Sequence, residues 1–210
     1  MDLSIIIPAH NEEKYITKCL EQIPKEYETI VVCNGCTDKT EEETKKFPVK
    51  IISTEKKGVS LARNLGAKAA SHNRLVFMDA DILITKEILE DIKKTKYTIG
   101  AVYLKPDVKN FYSNFYIFFK NLKGEILHRL GGIIFCDKNI FEKTDGFDED
   151  RKYKEDVVFG KKAIKLGNFG MIKKYAQVSM RRFEKAGYIK HIFITPKTWF
   201  NKSQDYPTVR

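Results

Sequence analysis

No apolar run in the chain approaches the ~20 uninterrupted residues that a membrane-spanning helix needs. The opening residues, MDLSIIIPAHN, do not read as a secretory leader: they carry no basic n-region and no cleavage site, and the apolar run is too short. A cytoplasmic location is therefore expected, with peripheral contact at the inner face of a membrane as the open variant. Cysteine is scarce. Cys19, Cys33, Cys36 and Cys136 are too few, in a chain of this character, for a disulfide framework. Cys33-Asn34-Gly35-Cys36 has the spacing of a redox or zinc motif, but a zinc site needs further ligands. The chain offers only Cys19, Cys136 and four scattered histidines, with no second C-x-x-C and no H-x-x-x-H. A thioredoxin-like motif opens a helix with its first cysteine, whereas Asn34-Gly35 marks a turn at a strand end, with the helix starting near Asp38. Also missing are Gly-x-Gly-x-x-Gly after the first strand and Gly-x-x-x-x-Gly-Lys anywhere, so a dinucleotide fold and a P-loop lose support. Nothing resembles a helix-turn-helix or an aromatic RNA-binding strand, and no nucleic-acid partner is expected.

Positive charge is plentiful. Thirty-eight Lys and Arg against 28 Asp and Glu leave a formal charge of +10. Such a balance suits phosphorylated ligands, an anionic membrane surface or nucleic acid, and equally a lysine-rich solvated surface. At 210 residues, 42% hydrophobic and 31% charged, the chain fits one soluble domain.

The first hundred residues alternate between two kinds of segment. Leu3–Ala9, Glu28–Cys33, Val49–Thr54 and Arg74–Asp81 read as buried strands. Between them, helices are predicted after an Asn11 cap, over Asp38–Phe47 and over Gly58–Ser71, with another over Thr85–Lys93. Strand–helix alternation with short connections means a mostly parallel central sheet with helices on both faces, and ligands bind at the carboxyl ends of its strands. Three such ends carry polar groups: Pro8 to Glu12, Asn34 to Asp38, and Asp79 to Asp81. The second half is less regular. A strand is expected over Thr98–Leu104 and a strongly aromatic helix over Asn110–Leu122. Gly131–Phe135 reads as a short strand or turn, Asp137–Lys143 as a short helix, Tyr153–Leu166 as an amphipathic helix and Met171–Ser179 as a last strand. Buried packing is the preferred reading of the aromatic helix, ahead of a face toward a membrane-bound acceptor.

Asp79-Ala80-Asp81 closes an apolar strand with two acids. Hard oxygen donors beside a ligand's phosphates suit Mg²⁺ or Mn²⁺. The side chains of an extended D-x-D diverge, so both serve one ion only if the chain turns there. Taken alone, the same triplet also fits a turn that caps the next helix. Glu155-Asp156 alone reads as an acidic pair opening a helix. Arg181-Arg182 follow the last strand as planar forks that could hold a diphosphate or a phosphorylated acceptor, or as a solvated basic pair.

The order IIIPAHNEE, IVVCNGCTDKT, KKGVSLARNLGAKAA, LVFMDAD, TDGFDED and KEDVVFGKKAIKLG resembles the family 2 glycosyltransferases of GT-A fold. The resemblance runs from about Asp2 to Arg182. It implies an α/β, nucleotide-diphospho-sugar transferase fold over residues 1–183, with a nucleotide-binding half over 1–104, an acceptor-binding half over 105–183 and a tail over 184–210. It implies an inverting, metal-assisted transfer of a sugar from a nucleotide-diphosphate donor, a UDP- or GDP-sugar, to an acceptor hydroxyl or phosphate. Position by position, Pro8, His10 and Glu12 would line base and ribose, and Asn34 and Asp38 would join them from the second strand. Lys57 and Arg63 would approach the nucleotide or its phosphates. Asp79 and Ala80 would meet the ribose or the metal's water, and Asp81 would hold the divalent metal, Mn²⁺ or Mg²⁺. Asp156 falls at the catalytic base, kept ionised by the helix dipole, with Glu155, Arg181 and Arg182 on the acceptor or phosphate side.

The match departs from the family in places. Cys33-Asn34 stands where Asp-Asp is usual, and Leu83 where polyprenyl-phosphate mannose synthases carry a polar metal ligand. Gln177 to Phe183 only loosely echoes the Gln-x-x-Arg-Trp of processive enzymes, so a single-transfer enzyme is expected. The acceptor stays open, a lipid-linked one included. The alternatives are a polyprenyl-phosphate glycosyl synthase and a basic nucleic-acid-binding module. A nucleotidyltransferase would need a glycine-rich basic loop after the first strand, which is missing.

Overall fold

Leu3–Ala9 forms β1, and all seven of its residues are buried. The computed structural model describes residues 2–151 and 154–181, so Arg182 and the tail over 184–210 lie outside the described residues. A strand buried on both faces needs helices over both. Ile5 and Ile7 enter one hydrophobic core while Ile6 enters the other, as the two-residue period of a strand requires. On one side β1 pairs in parallel with β2 (Glu28–Asn34), which pairs with β3 (Lys50–Thr54). On its other side lies β4 (Arg74–Met78), also parallel. This ladder stops at Ile6, so Pro8 lies past its end, where a missing N–H removes no bond to β4.

The sheet continues through β7 (Ile133–Asp137), antiparallel to both β4 and β6 (Ile99–Pro106). Then come β8 (Phe169–Val178), parallel to β6, and the two-residue β5 (Ile82–Leu83). The order is β3-β2-β1-β4-β7-β6-β8-β5. Four of the seven neighbour pairs are parallel, so the sheet is mixed with a parallel majority. Helices α1 (Ile16–Glu21) and α4 (Lys86–Lys94) supply Ile16, Leu20, Ile88 and Leu89 to the first core. Helices α3 (Val59–Ala69), α6 (Lys138–Lys143) and α7 (Glu155–Ala163) supply Ala62, Ile140 and Phe159 to the second. The short α2 (Thr40–Thr44) sits beside α1.

Several boundaries differ from the sequence expectation for local reasons. Asn11 adopts φ +55° and turns its side chain to Thr37, so it caps no helix and α1 begins only at Ile16. The strand expected to run to Asp81 ends at Met78. The chain then turns, with the Ile82 amide donating to the Asp79 carbonyl at 3.1 Å, and resumes as β5. The D-x-D triplet thus sits on a bend, the one geometry in which both acids can face a common point.

The aromatic helix, α5 (Phe111–Leu127), is longer than expected and is not packed as expected. Only Ser113, Ile117 and Gly124 are buried, whereas Phe111, Tyr112, Phe115, Phe118 and Phe119 stand exposed. The preference for buried packing is therefore overturned. Ser113, Ile117 and Gly124 occupy the face that meets the sheet, Tyr116 is half-buried against the core, and the phenylalanine rings point outward.

Gly66 decides how closely α3 approaches β1. A Cβ there would lie 2.4 Å from Cγ2 of Ile6. Gly66→Ala is expected to destabilise the fold by about 1–3 kcal/mol, the usual range for overpacking, in urea unfolding. Combined with Ile6→Ala, it should cost less than the sum of the two single changes.

Candidate active site

Three strand ends meet at one edge of the sheet, and their side chains first tie the edge together. The Asn34 amide is buried and turned inward: it donates to the Ala9 carbonyl at 2.9 Å and accepts from the Gly58 amide at 3.2 Å. It thereby pins the end of β1 to the start of α3. The His10 ring faces the Asn34 carbonyl through Nδ1 at 2.6 Å. A carbonyl oxygen only accepts, so Nδ1 carries the hydrogen and Nε2 is left as an acceptor. Nε2 is buried and has no hydrogen-bond partner among the described residues. Asp38 accepts from the amides of Thr40 and Glu13 and from the Thr40 hydroxyl. Burial works against its ionisation, but these bonds outweigh it and hold the carboxyl below its ordinary value. Gly35, with φ +61°, makes the turn after β2, and its face lies against the stem of exposed Lys57.

All four cysteines are free thiols, and among the described residues no three His, Cys, Asp or Glu side chains converge to hold a metal. Cys36 is hydrogen-bonded to Cys33 and its pKa falls to about 7, while that of Cys33 rises.

The acids on the bend are held by two arginines. Arg181 follows β8, which pairs with β5, so its side chain reaches back to the residues just before β5. It donates to Asp81 Oδ2 at 3.1–3.2 Å and to both Glu12 oxygens at 2.6 Å. Its guanidinium lies 3.9 Å above the Tyr15 ring. Burial opposes its charge, but Glu12 and Asp81 more than compensate and hold it charged. Arg63 on α3 is 4% exposed. One nitrogen donates to Asp79 at 3.1 Å and another to Glu155 at 2.8 Å, with the Phe147 ring 5.1 Å from the guanidinium carbon. Its charge too is kept against burial, by Asp79, Glu155 and Asp156. Ala80 between the acids is buried.

Asn64, the next residue on α3, grips the following segment from both sides. Its oxygen accepts from the Phe147 amide, and its nitrogen donates to the Phe147 carbonyl and to Glu149. A Cβ on Gly146, φ +67°, would lie 2.6 Å from that oxygen, so glycine is required there by backbone and by space. Two adjacent residues of α3 thus fix both the acidic bend and the loop around Phe147.

Asp156 is the second residue of α7 and is half-buried. At the start of α7 it is still ionised at neutral pH, but the helix dipole is not what sets its pKa. Its pKa rises to about 6, first because burial disfavours the carboxylate and then because Glu155 is adjacent, with Arg63 and Lys120 pulling the other way. A Cβ on Gly131 would lie 3.3 Å from its Oδ2, and Lys120 of α5 borders the same spot. Sequence reasoning passed over Tyr15, Asn64, Lys120 and Gly131. Asn64 was within reach, one residue after Arg63 in the quoted KKGVSLARNLG motif. The other three meet the site only through the fold.

A carboxyl whose folded pKa exceeds its unfolded value favours the fold at low pH and loses that contribution as pH rises through the folded value. Asp156→Asn is therefore expected to raise the melting temperature at pH 7.5, with the gap closing toward pH 4. A variant less stable than wild type at pH 7.5 would contradict the strain assigned to this carboxylate.

Known proteins resemble this chain in sequence and in fold. Poly(ribitol-phosphate) beta-N-acetylglucosaminyltransferase TarS of Staphylococcus aureus is 34% identical over 103 residues, covering 43% of this chain and 18% of that protein. Dolichol-phosphate mannosyltransferase of Pyrococcus furiosus is 34% identical over 120 residues, covering 50% of this chain and 34% of that protein. The chain therefore spans about a third or less of these relatives. Among solved structures, TarS 1–349 in complex with UDP-GlcNAc superposes with a TM-score of 0.71 at 24% identity, over 86% of this chain and 59% of that one. Mannosyltransferase PcManGT from Pyrobaculum calidifontis, in complex with GDP-Man and Mn²⁺, gives 0.69 at 17% identity, over 96% and 65%. These likenesses fix the fold as that of the GT-A glycosyltransferases. The model of the family described as glycosyl transferase family 2 matches residues 4–176, and the chain belongs to that family.

Proposed function

We propose that the protein transfers a sugar from a nucleotide-diphosphate donor to an acceptor hydroxyl with inversion, the donor held at the β1, β2 and β4 ends and Asp156 acting as base. One observation carries this reading: the buried Arg63 guanidinium joins Asp79, on the bend after β4, to Glu155, the neighbour of Asp156. A single rigid fork thereby sets the donor end of the cleft against the base end. Relatives in the same fold bind such donors, as the UDP-GlcNAc of TarS and the GDP-Man of PcManGT show for those proteins.

The oxygen-only donors of the bend fit a divalent cation, because Mg²⁺ and Mn²⁺ take one or two protein carboxylates together with substrate phosphates. Asp81 would hold it, with Asp79 beside it. When bound, the ion supplies Lewis-acid stabilisation of the charge that collects on the leaving diphosphate. Arg181 balances Asp81 and Glu12 in this structure, and it would meet the diphosphate as well. In the step itself the acceptor oxygen bonds to the anomeric carbon and the bond from that carbon to the phosphate oxygen breaks. The electron pair leaves with the nucleoside diphosphate. Asp156 takes the acceptor's proton, and its pKa of about 6 leaves it ionised at neutral pH yet basic enough to do so.

The inward-turned Asn34 supports a scaffolding part in the nucleotide pocket more than a base-reading one. The adjacent Nε2 of His10 is the polar atom there with unused hydrogen-bonding capacity, and it suits a donor group of the base or ribose.

UDP or GDP with Mn²⁺ should raise the melting temperature, since a ligand that binds only the native state stabilises it. No shift with any nucleoside diphosphate would count against the reading. Asp81→Ala and Asp156→Asn should each remove transfer, the latter by at least the 10²-fold typical of a lost general base, in folded protein. In the wild type, kcat/KM should fall about tenfold per pH unit below pH 6. A rate independent of pH between 5 and 8, or full turnover by Asp156→Asn, removes that residue from the role.

A further inference from the structure

Helix α5 is amphipathic in the reverse sense from a helix that serves only to cover a sheet. Its packed face is Ser113, Ile117 and Gly124, spaced i, i+4, i+11. Phe111, Phe115, Phe118, Phe119, Leu122 and Ile126 recur at i, i+4, i+7, i+8, i+11 and i+15, which places them on one stripe about opposite. Phe111 is 74% exposed, Phe118 61% and Ile126 65%. The helix is built, not frayed: the Asn110 side chain caps it by accepting from the Ser113 amide at 2.8 Å, and Asn121 fastens it to both the amide and the carbonyl of Leu104 on β6. A contiguous aromatic stripe on a secured helix marks an interaction surface.

We propose that this outer face of α5 docks the protein onto an anionic lipid surface, and that the acceptor reaches Asp156 from that surface. Three observations select lipid as the occupant. The stripe is rich in phenylalanine and continues into Ile126, the composition of helices that lie in a bilayer interface. Exposed Lys105, Lys109, Lys123 and Arg129 lie on or beside the helix, and between Leu104 and Gly131 five basic residues face only two acidic ones. One of those two, Glu125, is already neutralised by Lys173 at 2.8 Å. Finally, Lys120 of the same helix borders the Gly131–Asp156 spot, so the helix that would touch the membrane also forms a wall of the base end of the cleft. The docking half stands on α5 alone, and the delivery half rests on the glycosyl-transfer reading and names its acceptor class: one anchored in a membrane.

The test is flotation of the whole chain with vesicles of phosphatidylglycerol and phosphatidylcholine, against pure phosphatidylcholine. Wild type should float with the anionic vesicles, less so in high salt as the charge is screened, and weakly or not at all with the neutral ones. Phe115→Ser with Phe118→Ser should lower anionic-vesicle binding at least tenfold, while the melting temperature and the vesicle-free hydrolysis of a nucleotide-sugar stay unchanged. Wild type that does not float, or a double variant that floats equally well, overturns the proposal. A wild-type dimer that the double variant splits, without vesicle binding, assigns the face to a second copy and also overturns it. Flotation that depends on the stripe, in a protein that neither binds nor hydrolyses any nucleotide-sugar, upholds docking while removing the transfer reading.

Discussion

One buried guanidinium organises the site. Arg63 sits 4% exposed between Asp79 and Glu155, with Asp156 adding to the field that keeps it charged. Stripping such a buried charge of both partners would cost about 3–5 kcal/mol, because it would then be neither solvated nor paired. The fold therefore cannot easily give up both contacts. The first carboxylate lies on the bend after β4 and the second opens α7, more than seventy residues later, so the two halves of the cleft hold their spacing through this one side chain. Gly66 lets α3 sit close enough on β1 for Arg63 to reach both, and Asn64 uses the same helix to hold the Phe147 loop.

The carboxylates of the cleft divide into two kinds. Asp79, Asp81 and Glu12 are matched by arginines, and in the proposed reading they would face the donor diphosphate and its cation. Asp156 is matched less fully. Burial and Glu155 raise its pKa, Arg63 and Lys120 limit the rise, and the outcome near 6 is that of a base able to work at neutral pH. A helix start alone would have pushed the value the other way. Desolvation and a neighbouring like charge are the stronger effects at this position.

The first hundred residues were largely legible as sequence, because buried parallel strands announce themselves as short apolar runs and their polar ends mark the ligand edge. Leu3–Ala9 is the clearest example, with its strand limits foreseen in full. The bend at Asp79–Asp81 was less legible, since nothing in LVFMDAD says where the strand stops. The motif marks Asn34 as a site residue, but its inward turn depends on Gly58, 24 residues away. The aromatic helix was misjudged because hydrophobicity reports that a face wants to leave water, and not which neighbour will cover it. In α5 the sheet takes the face with Ser113 and Gly124, and the phenylalanines are left outside. Lys120 and Gly131 beside Asp156, and Tyr15 beneath Arg181, come together only through the topology of the sheet.

The proposed chemistry turns on Asp156 being a carboxylate whose pKa is raised by burial and restrained by Arg63. A direct measurement is the titration of its carboxyl carbon by ¹³C NMR in the folded, ligand-free protein, in wild type and in Arg63→Gln. The expected midpoint is near 6 in wild type, moving higher when the guanidinium is removed. A wild-type midpoint in the ordinary aspartate range near 4, or one that ignores the loss of Arg63, would contradict it.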